Sequence, residues 1–413
     1  MQRACRVLFL ASALALFPAM GEDWPQFRGP DGQGHTAATG LPLTWSETEN
    51  VAWKVPVPGR GWSSPAIANG QLWLTTAVEP EGGGAGRSLR ALAFDPETGK
   101  QLRDVELFRL EDAGKQHAKN SYASPTPIIE GDRVYVHFGK LGTAALTTSG
   151  EIVWKTRFDY DYIHGSGGSP VLYRNLLILS CDGGDQQFVV ALNKDTGAVE
   201  WKVHRRQRGG MAFSTPLIIE GGGTVQVVSP GAFRTVSYEA ATGRELWWID
   251  YGKGFSNVPR PVFAHGMVYV TSGFYTPALI AVKPDGHGDV TNTHVTWQAP
   301  RAVPLTPSPV VVGDEIYMVS DNGILTCLDA LSGKIHYQQR LGGNFSASPL
   351  AADGRIYFQS EEGETTVIAP GKEFQKLASS RVDEQTLASF AVLGDSLYLR
   401  SASRLYRLRQ SGR

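Results

Sequence analysis

Residues 308–337 read SPVVVGDEIYMVSDNGILTCLDALSGKIHY, and this stretch decides the fold. It opens on Ser308-Pro309 and an apolar run to Val312, turns at Gly313-Asp314, and resumes as a second run from Glu315 to Ser320. Asp321-Asn322-Gly323 makes a loop, a third run covers Ile324 to Asp329, and Ser332-Gly333-Lys334 turns into a last short run ending on Tyr337. Short apolar runs bounded by Gly, Asp and Asn are what strands joined by tight turns require. The stretch therefore predicts a four-stranded antiparallel meander.

The pattern recurs along the chain. Ser-Pro, Thr-Pro or Arg-Pro anchors fall at Pro65, Pro125, Pro170, Pro216, Pro261, Pro309 and Pro349, at intervals of 60, 45, 46, 45, 48 and 40 residues, and a degenerate anchor at Ser389-Phe390 follows 41 residues later. The third-to-fourth-strand segment repeats as ALAFDPETGK (91–100), ALTTSGEIVW (145–154), ALNKDTGAVEW (191–201), SYEAATGRELW (237–247) and CLDALSGKIHY (327–337). A period of about 40 to 50 residues with four strands per unit signifies a propeller, here all-β with eight blades. The last unit stops at its third strand, Leu405 to Leu408, while NVAWKV (50–55) has the character of a fourth strand. The N-terminal strand should therefore close the last blade, making 51–413 one propeller and hiding the edges of an open meander. Trp154, Trp201, Trp247 and Tyr337, just after the Thr-Gly or Ser-Gly turns, are expected to wedge between blades.

The first residues look like a targeting segment. Arg3 and Arg6 supply positive charge, Val7 to Phe17 is an apolar core too short to cross a bilayer, and Ala19-Met20-Gly21 offers small residues for cleavage. Residues 1–21 are thus expected to be a signal peptide, and the protein periplasmic or secreted. Cys5 precedes the apolar core, so a lipid-accepting cysteine is not expected. Residues 22–50, EDWPQFRGPDGQGHTAATGLPLTWSETEN, show no strand alternation and predict an irregular leader lying over the surface, pinned by Trp24, Phe27 and Trp45. Cys181 and Cys327 fall in blades three and six, too far apart for a disulfide, and should be free thiols. A net charge of −1 with scattered Lys and Arg argues against a nucleic-acid partner. A monomer without a transmembrane segment in the mature chain is expected.

The ALxxxTGxxxW repeat resembles the PQQ-type propeller repeat shared by quinoprotein alcohol dehydrogenases and by the propeller lipoprotein of the outer-membrane β-barrel assembly machinery. WPQFRGPDGQG (24–34), GRGWSSP (59–65), KNSYASPTP (119–127) and NFSASP (344–349) resemble a narrower group, exported bacterial PQQ-like repeat proteins without an assigned reaction. The resemblance spans nearly the whole mature chain and implies the propeller fold, with PQQ and calcium as candidate cofactors and an envelope protein as a candidate partner. The adjacent cysteine pair that the dehydrogenases hold against the quinone is missing here.

In a meander of this kind, strand 2–3 loops and blade-to-blade loops share one face. The long loops lie there, so that face should hold any site. The blade-to-blade loops bring Arg60, Trp62, His117, Lys119, Asn120, Tyr122, His164, Arg208, Arg260, Arg301 and Asn344 toward the channel mouth, and the strand 2–3 loops add Asp182, Asp185, Asp321, Asn322, Glu361 and Glu362. These side chains either orient a polar ligand or partner, or only solvate their loops and pair with one another. In CDGGDQQF (181–188), Asp182 and Asp185 are candidate calcium ligands on a tight turn. His117 and His164 are a candidate acid–base or metal pair, or lone surface histidines. No GxSxG, Walker or zinc-protease pattern occurs, and no catalytic residue is assigned.

The expected function is that of a binding or scaffold protein engaging an envelope protein, or a polar small molecule or glycan, through the loop-rich face, with no cofactor expected. The alternatives are a PQQ-dependent, dehydrogenase-like redox enzyme and an enzyme acting on a polar substrate through His117, His164 and the facing acids.

Overall fold

Eight antiparallel sheets follow one another along the chain in a computed structural model that describes residues 22–206 and 209–412. The predicted signal peptide and Arg208 lie outside the described residues. Blade six has strands Val310–Val312, Glu315–Val319, Ile324–Asp329 and Ile335–Arg340, as its sequence requires. Val311 faces Ile316, Tyr317 faces Cys327 and Cys327 faces Tyr337, which aligns the apolar positions across the sheet. In the eighth blade Val51–Pro56 pairs antiparallel with Arg404–Arg409, so the expected closure by the N-terminal strand is borne out. Blade four gains a fifth strand, because Gly288–Asp289 from blade five adds in parallel to Glu245–Asp250.

Inner and middle strands are largely buried, whereas outermost strands such as Val51–Pro56 expose alternate residues. The outer strands are held by a lock between blades. The Trp154 indole donates to Lys194 O of blade three at 2.9 Å, Trp201 to Ala240 O of blade four at 3.3 Å, and Trp297 to Ala330 O of blade six at 3.0 Å. Trp53 closes the circle from blade eight to Pro96 O of blade one at 3.1 Å. Each ring lies where a side chain would begin on the turn glycine of the next blade. A Cβ on Gly197 would lie 2.7 Å from the Trp154 ring, and one on Gly243 2.6 Å from that of Trp201. The glycine of the Thr-Gly turn is thus required twice, for its positive φ and for the indole of its neighbour. Trp247 differs, turning inward to Gln226 Oε1 of its own blade.

The channel side is held by a second circle. The residue before each inner strand offers its hydroxyl to the backbone N–H of the preceding blade. Ser64 donates to Thr126, Thr126 to Ser169, Ser169 to Thr215, Ser308 to Ser348, Ser348 to Ser389 and Ser389 to Ser64, at 2.8–3.0 Å. Arg260 donates to Ser308 but stands where the other blades carry a hydroxyl, and arginine has nothing to accept with. The circle also corrects the phase of blade two. Its anchor is Thr126-Pro127, ahead of the strand Ile128–Glu130, and not Ser124-Pro125.

The leader does not lie over the surface as expected; it crosses the channel. Trp24 exchanges backbone hydrogen bonds with Ile67 of blade one, Pro25 O accepts from Ile129 of blade two, and Gly34 O accepts from Ala351 of blade seven. The Gln33 amide oxygen accepts from Phe263 N of blade five, and His35 Nε2 meets Val311 O of blade six. One short loop therefore satisfies inner-strand groups from opposite sides of the propeller. Trp24 and Trp45 are buried, and Trp45 packs on Tyr357 and Phe390.

Cys181 and Cys327 are free and buried. Neither should react with iodoacetamide in the native protein, and both should react in guanidinium; a disulfide-linked peptide in the digest would contradict this. Gly197→Ala should lower stability by about 2–3 kcal/mol in denaturant melts, from φ strain plus collision with Trp154. In a Trp154→Ala background only the φ cost of about 1 kcal/mol should remain.

Candidate functional site

The blade-to-blade loops and strand 2–3 loops surround a cavity of about 500 Å³ at one end of the channel. Its base is the hydroxyl circle, and Phe27 of the leader contributes to its lining from within the channel. The walls are predominantly apolar: Trp62, Phe213, Phe255, Phe274, Val258, Leu305 and Leu387. His117, Lys119, Asn120, His164 and Asp321 complete the rim.

Most rim polar groups are engaged with one another. Asn120 Nδ2 donates to His164 O at 2.7 Å, and His117 N donates to the same carbonyl at 3.2 Å. The two imidazoles meet edge to face with centroids 5.6 Å apart. Lys119 N donates to His117 Nδ1 at 3.3 Å. Burial, then the neighbouring His117, hold the His164 pKa below the ordinary histidine value. Lys119 Nζ reaches across to Glu361 Oε1 at 2.8 Å, and the same oxygen accepts from the Ser346 hydroxyl at 2.6 Å. Asp321 accepts from Leu305 N at 2.6 Å and the Thr306 hydroxyl at 2.7 Å, capping the loop that enters blade six.

Of the residues expected at the mouth, Trp62, His117, Lys119, Asn120 and His164 line the cavity, and Glu361 joins them through Lys119. Arg60 stands beside the mouth, donating to Ala118 O at 3.2 Å with its guanidinium 6.0 Å from the Trp62 ring. Tyr122 turns away to Gly114 O at 2.6 Å, under the Arg87 guanidinium. Asn344 is tied to Glu362 at 2.9 Å, and Arg301 is exposed and outside the lining. Arg260 is a correction: it is buried in the channel, donating to Phe27 O at 2.9 Å, because it fills the gap in the hydroxyl circle and grips the leader.

Asp182 and Asp185 are a second correction. Asp182 is buried, and both its oxygens are taken by Arg205, Oδ1 from Nε at 2.6 Å and Oδ2 from Nη2 at 3.0 Å. Asp185 instead accepts from Asp161 N at 2.6 Å. The two carboxylates are committed to separate protein donors, and no group of three or more His, Cys, Asp or Glu suited to a metal occurs among the described residues. His137 is also structural, buried with Nδ1 2.8 Å from the Thr143 hydroxyl.

Beyond Trp62, the aromatic content of the mouth was not expected from the sequence. Phe233, Phe255, Phe274 and Tyr275 form a continuous cluster, with centroids 6.5 Å apart from Phe233 to Phe255, 5.9 Å from Phe255 to Phe274 and 4.9 Å from Phe274 to Tyr275. Phe274 is 47% exposed, Tyr275 70% and, on the blade three approach, Ile163 53%. A second hollow of about 890 Å³ flanks the cluster, bordered by Met211, Phe233 and Tyr275 with Arg206, Arg234 and Lys253.

Residues 36–161, 93–220, 185–288 and 288–406 match the family described as outer membrane protein assembly factor BamB. Over 240 residues the chain is 24% identical to the protein of that name from Shewanella oneidensis, covering 53% of this chain and 57% of the relative, a little over half its length. Among solved structures, BamB from Moraxella catarrhalis aligns with a TM-score of 0.60 at 13% identity, over 88% of this chain and 98% of that one. The quinohemoprotein alcohol dehydrogenase from Comamonas testosteroni aligns with a TM-score of 0.67 at 10% identity, over 95% of this chain and 81% of that one. At these identities the structural likeness is one of fold.

Asp182→Ala should destabilise the protein by about 3–5 kcal/mol in denaturant melts, since Arg205 would be left buried and uncompensated. Asp185→Ala, at the surface, should cost less than about 1 kcal/mol.

Proposed function

This chain belongs to the family described as outer membrane protein assembly factor BamB, and from that premise we propose that it is a docking propeller of the cell envelope. Its loop-rich face holds a segment of a partner protein, and the partner belongs to outer-membrane assembly, as the family's description implies. The observation that carries this reading is the aromatic ridge in which Phe274 and Tyr275 stand exposed against a half-buried Phe255, beside a hollow edged with Arg206 and Lys253. Exposed, clustered aromatics rimmed by charge are the usual anchors of a protein interface. An apolar anchor flanked by carboxylates fits such a ridge. The export expected from residues 1–21 is consistent with a meeting with that partner in the periplasm, and no helix among the described residues is long and apolar enough to cross a membrane.

The second reading, a quinone-dependent dehydrogenase, draws on the shared fold and on the cavity at the channel mouth. The residues present do not fit that group. Cys181 and Cys327 are buried in separate blades, and the acids at the mouth, Asp321 and Glu361, are bound to loop amides, hydroxyls and Lys119 rather than free to hold calcium.

Phe274→Glu with Tyr275→Glu should lower co-purification of the host's outer-membrane assembly proteins at least tenfold while leaving the melting temperature within about 2 °C, the loss expected for aromatic anchors. Unchanged capture would move the interface off this ridge. Reconstitution with PQQ and calcium should give no stoichiometric quinone band; a band with dye reduction would favour the second reading.

A further inference from the structure

The hydroxyl circle is a structural lock, but it also faces the cavity. Ser64, Thr126, Ser169, Thr215, Ser308 and Ser348, with Ser389, all line its base and are 6% exposed or less. Each of these oxygens accepts a backbone N–H from the blade before it. A hydroxyl that accepts from an amide keeps its own O–H to donate. The circle therefore presents a set of buried O–H donors around one axis. The Trp62 indole N–H adds another, buried in the wall without a partner.

Charge beneath the circle has the same sense. Arg260 and Arg28 are buried within the leader crossing, and no carboxylate pairs with either within 4 Å among the described residues. Burial, and for Arg28 the neighbouring Arg260, push their pKa values down to about 9 for Arg28 and about 10 for Arg260, so both remain charged at neutral pH. The acids of the cavity are at the rim instead, and Asp321 and Glu361 are already neutralised or capped. Asp31 of the leader opposes both guanidinium groups at longer range, one carboxylate against two cations, so buried donors over a net positive base favour an acceptor-rich, negatively charged group and disfavour a cation. Above that base the walls are aromatic and aliphatic, with Phe213, Phe255, Leu305 and Leu387.

We propose that this cavity is a binding site for a small amphiphilic carboxylate, its head gripped by the hydroxyl circle at the channel axis and its apolar body lying on the aromatic wall. Such a group is presented equally by a free fatty or aromatic acid and by the C-terminal carboxylate of an apolar peptide. The site shares Phe255 and Phe274 with the aromatic ridge, and its binding is read without a partner present.

Calorimetric titration of the full chain at pH 8 with octanoate, 1-octanol and octylamine tests it. Octanoate should bind one per chain and at least tenfold more tightly than octanol, and octylamine should not bind. Leu387→Trp, which fills the cavity from the rim and leaves the circle intact, should abolish octanoate binding without lowering the melting temperature. Ser348→Ala should weaken it threefold or more; if that variant does not fold, the octanoate-to-octanol ratio on the native chain reads the same contact. Equal affinity for acid and alcohol, binding of the amine, or octanoate binding unchanged by Leu387→Trp would each overturn the proposal. Competition between octanoate and a hexapeptide ending in phenylalanine, set against its C-terminal amide, tells the two sources apart. None of these readouts involves the partner, so the carboxylate site and the docking ridge stand or fall separately.

Discussion

A propeller brings eight inner strands side by side around a channel, and each begins with a backbone N–H that faces its neighbour rather than its own sheet. An unsatisfied amide there would be buried and costly. The hydroxyl circle removes that cost: a serine or threonine before each inner strand accepts the neighbouring N–H, so closure of the ring and satisfaction of the channel backbone are one event. Where the hydroxyl is replaced, at Arg260, the side chain reaches the leader backbone at Phe27. The break in the circle is thus where the leader is fastened, and the leader in turn satisfies inner-strand groups of five blades.

The outer edge solves a different problem by a different means. Blades diverge away from the axis, and a gap there must be filled by something large. Trp53, Trp154, Trp201 and Trp297 on outer strands fill it and hydrogen-bond to the following blade, each ring covering a turn glycine that leaves no room for a Cβ. The inner circle therefore sets blade number and phase, and the outer lock sets the spacing.

Periodicity made most of this legible. Repeats spaced by about 45 residues forced a propeller, the missing fourth strand at the end and the spare one at the beginning forced closure, and topology alone placed Trp62, His117, Lys119, Asn120 and His164 at the mouth. What periodicity does not encode was misplaced. SPTP at 124–127 offers two anchors, and only the hydrogen-bond phase selects Thr126-Pro127. Asp182 looked like half of a cation turn because its partner, Arg205, is far along the sequence on a neighbouring loop. Arg260 was expected at the channel mouth with the other loop arginines, and nothing in the leader's composition declares that it threads the channel and takes that side chain. The aromatics of the mouth were missed for the opposite reason: Phe213, Phe255 and Phe274 sit singly in loops and become a surface only when the blades are assembled.

The path of the leader also decides what kind of mouth this is. A channel open at both ends would hold water against its hydroxyls, and water would satisfy them. Here the leader crosses beneath the circle and places the apolar ring of Phe27 in the lining, so the donors face an enclosure whose other walls are aromatic. Donors in such surroundings gain more from a ligand acceptor than the same groups in bulk water. At 10–13% identity the propellers that align with this chain share its fold. In this chain the stopper is the FRGPDGQG segment (27–34) together with Arg260, residues that contribute no strand to any blade and yet shape the base of the cavity.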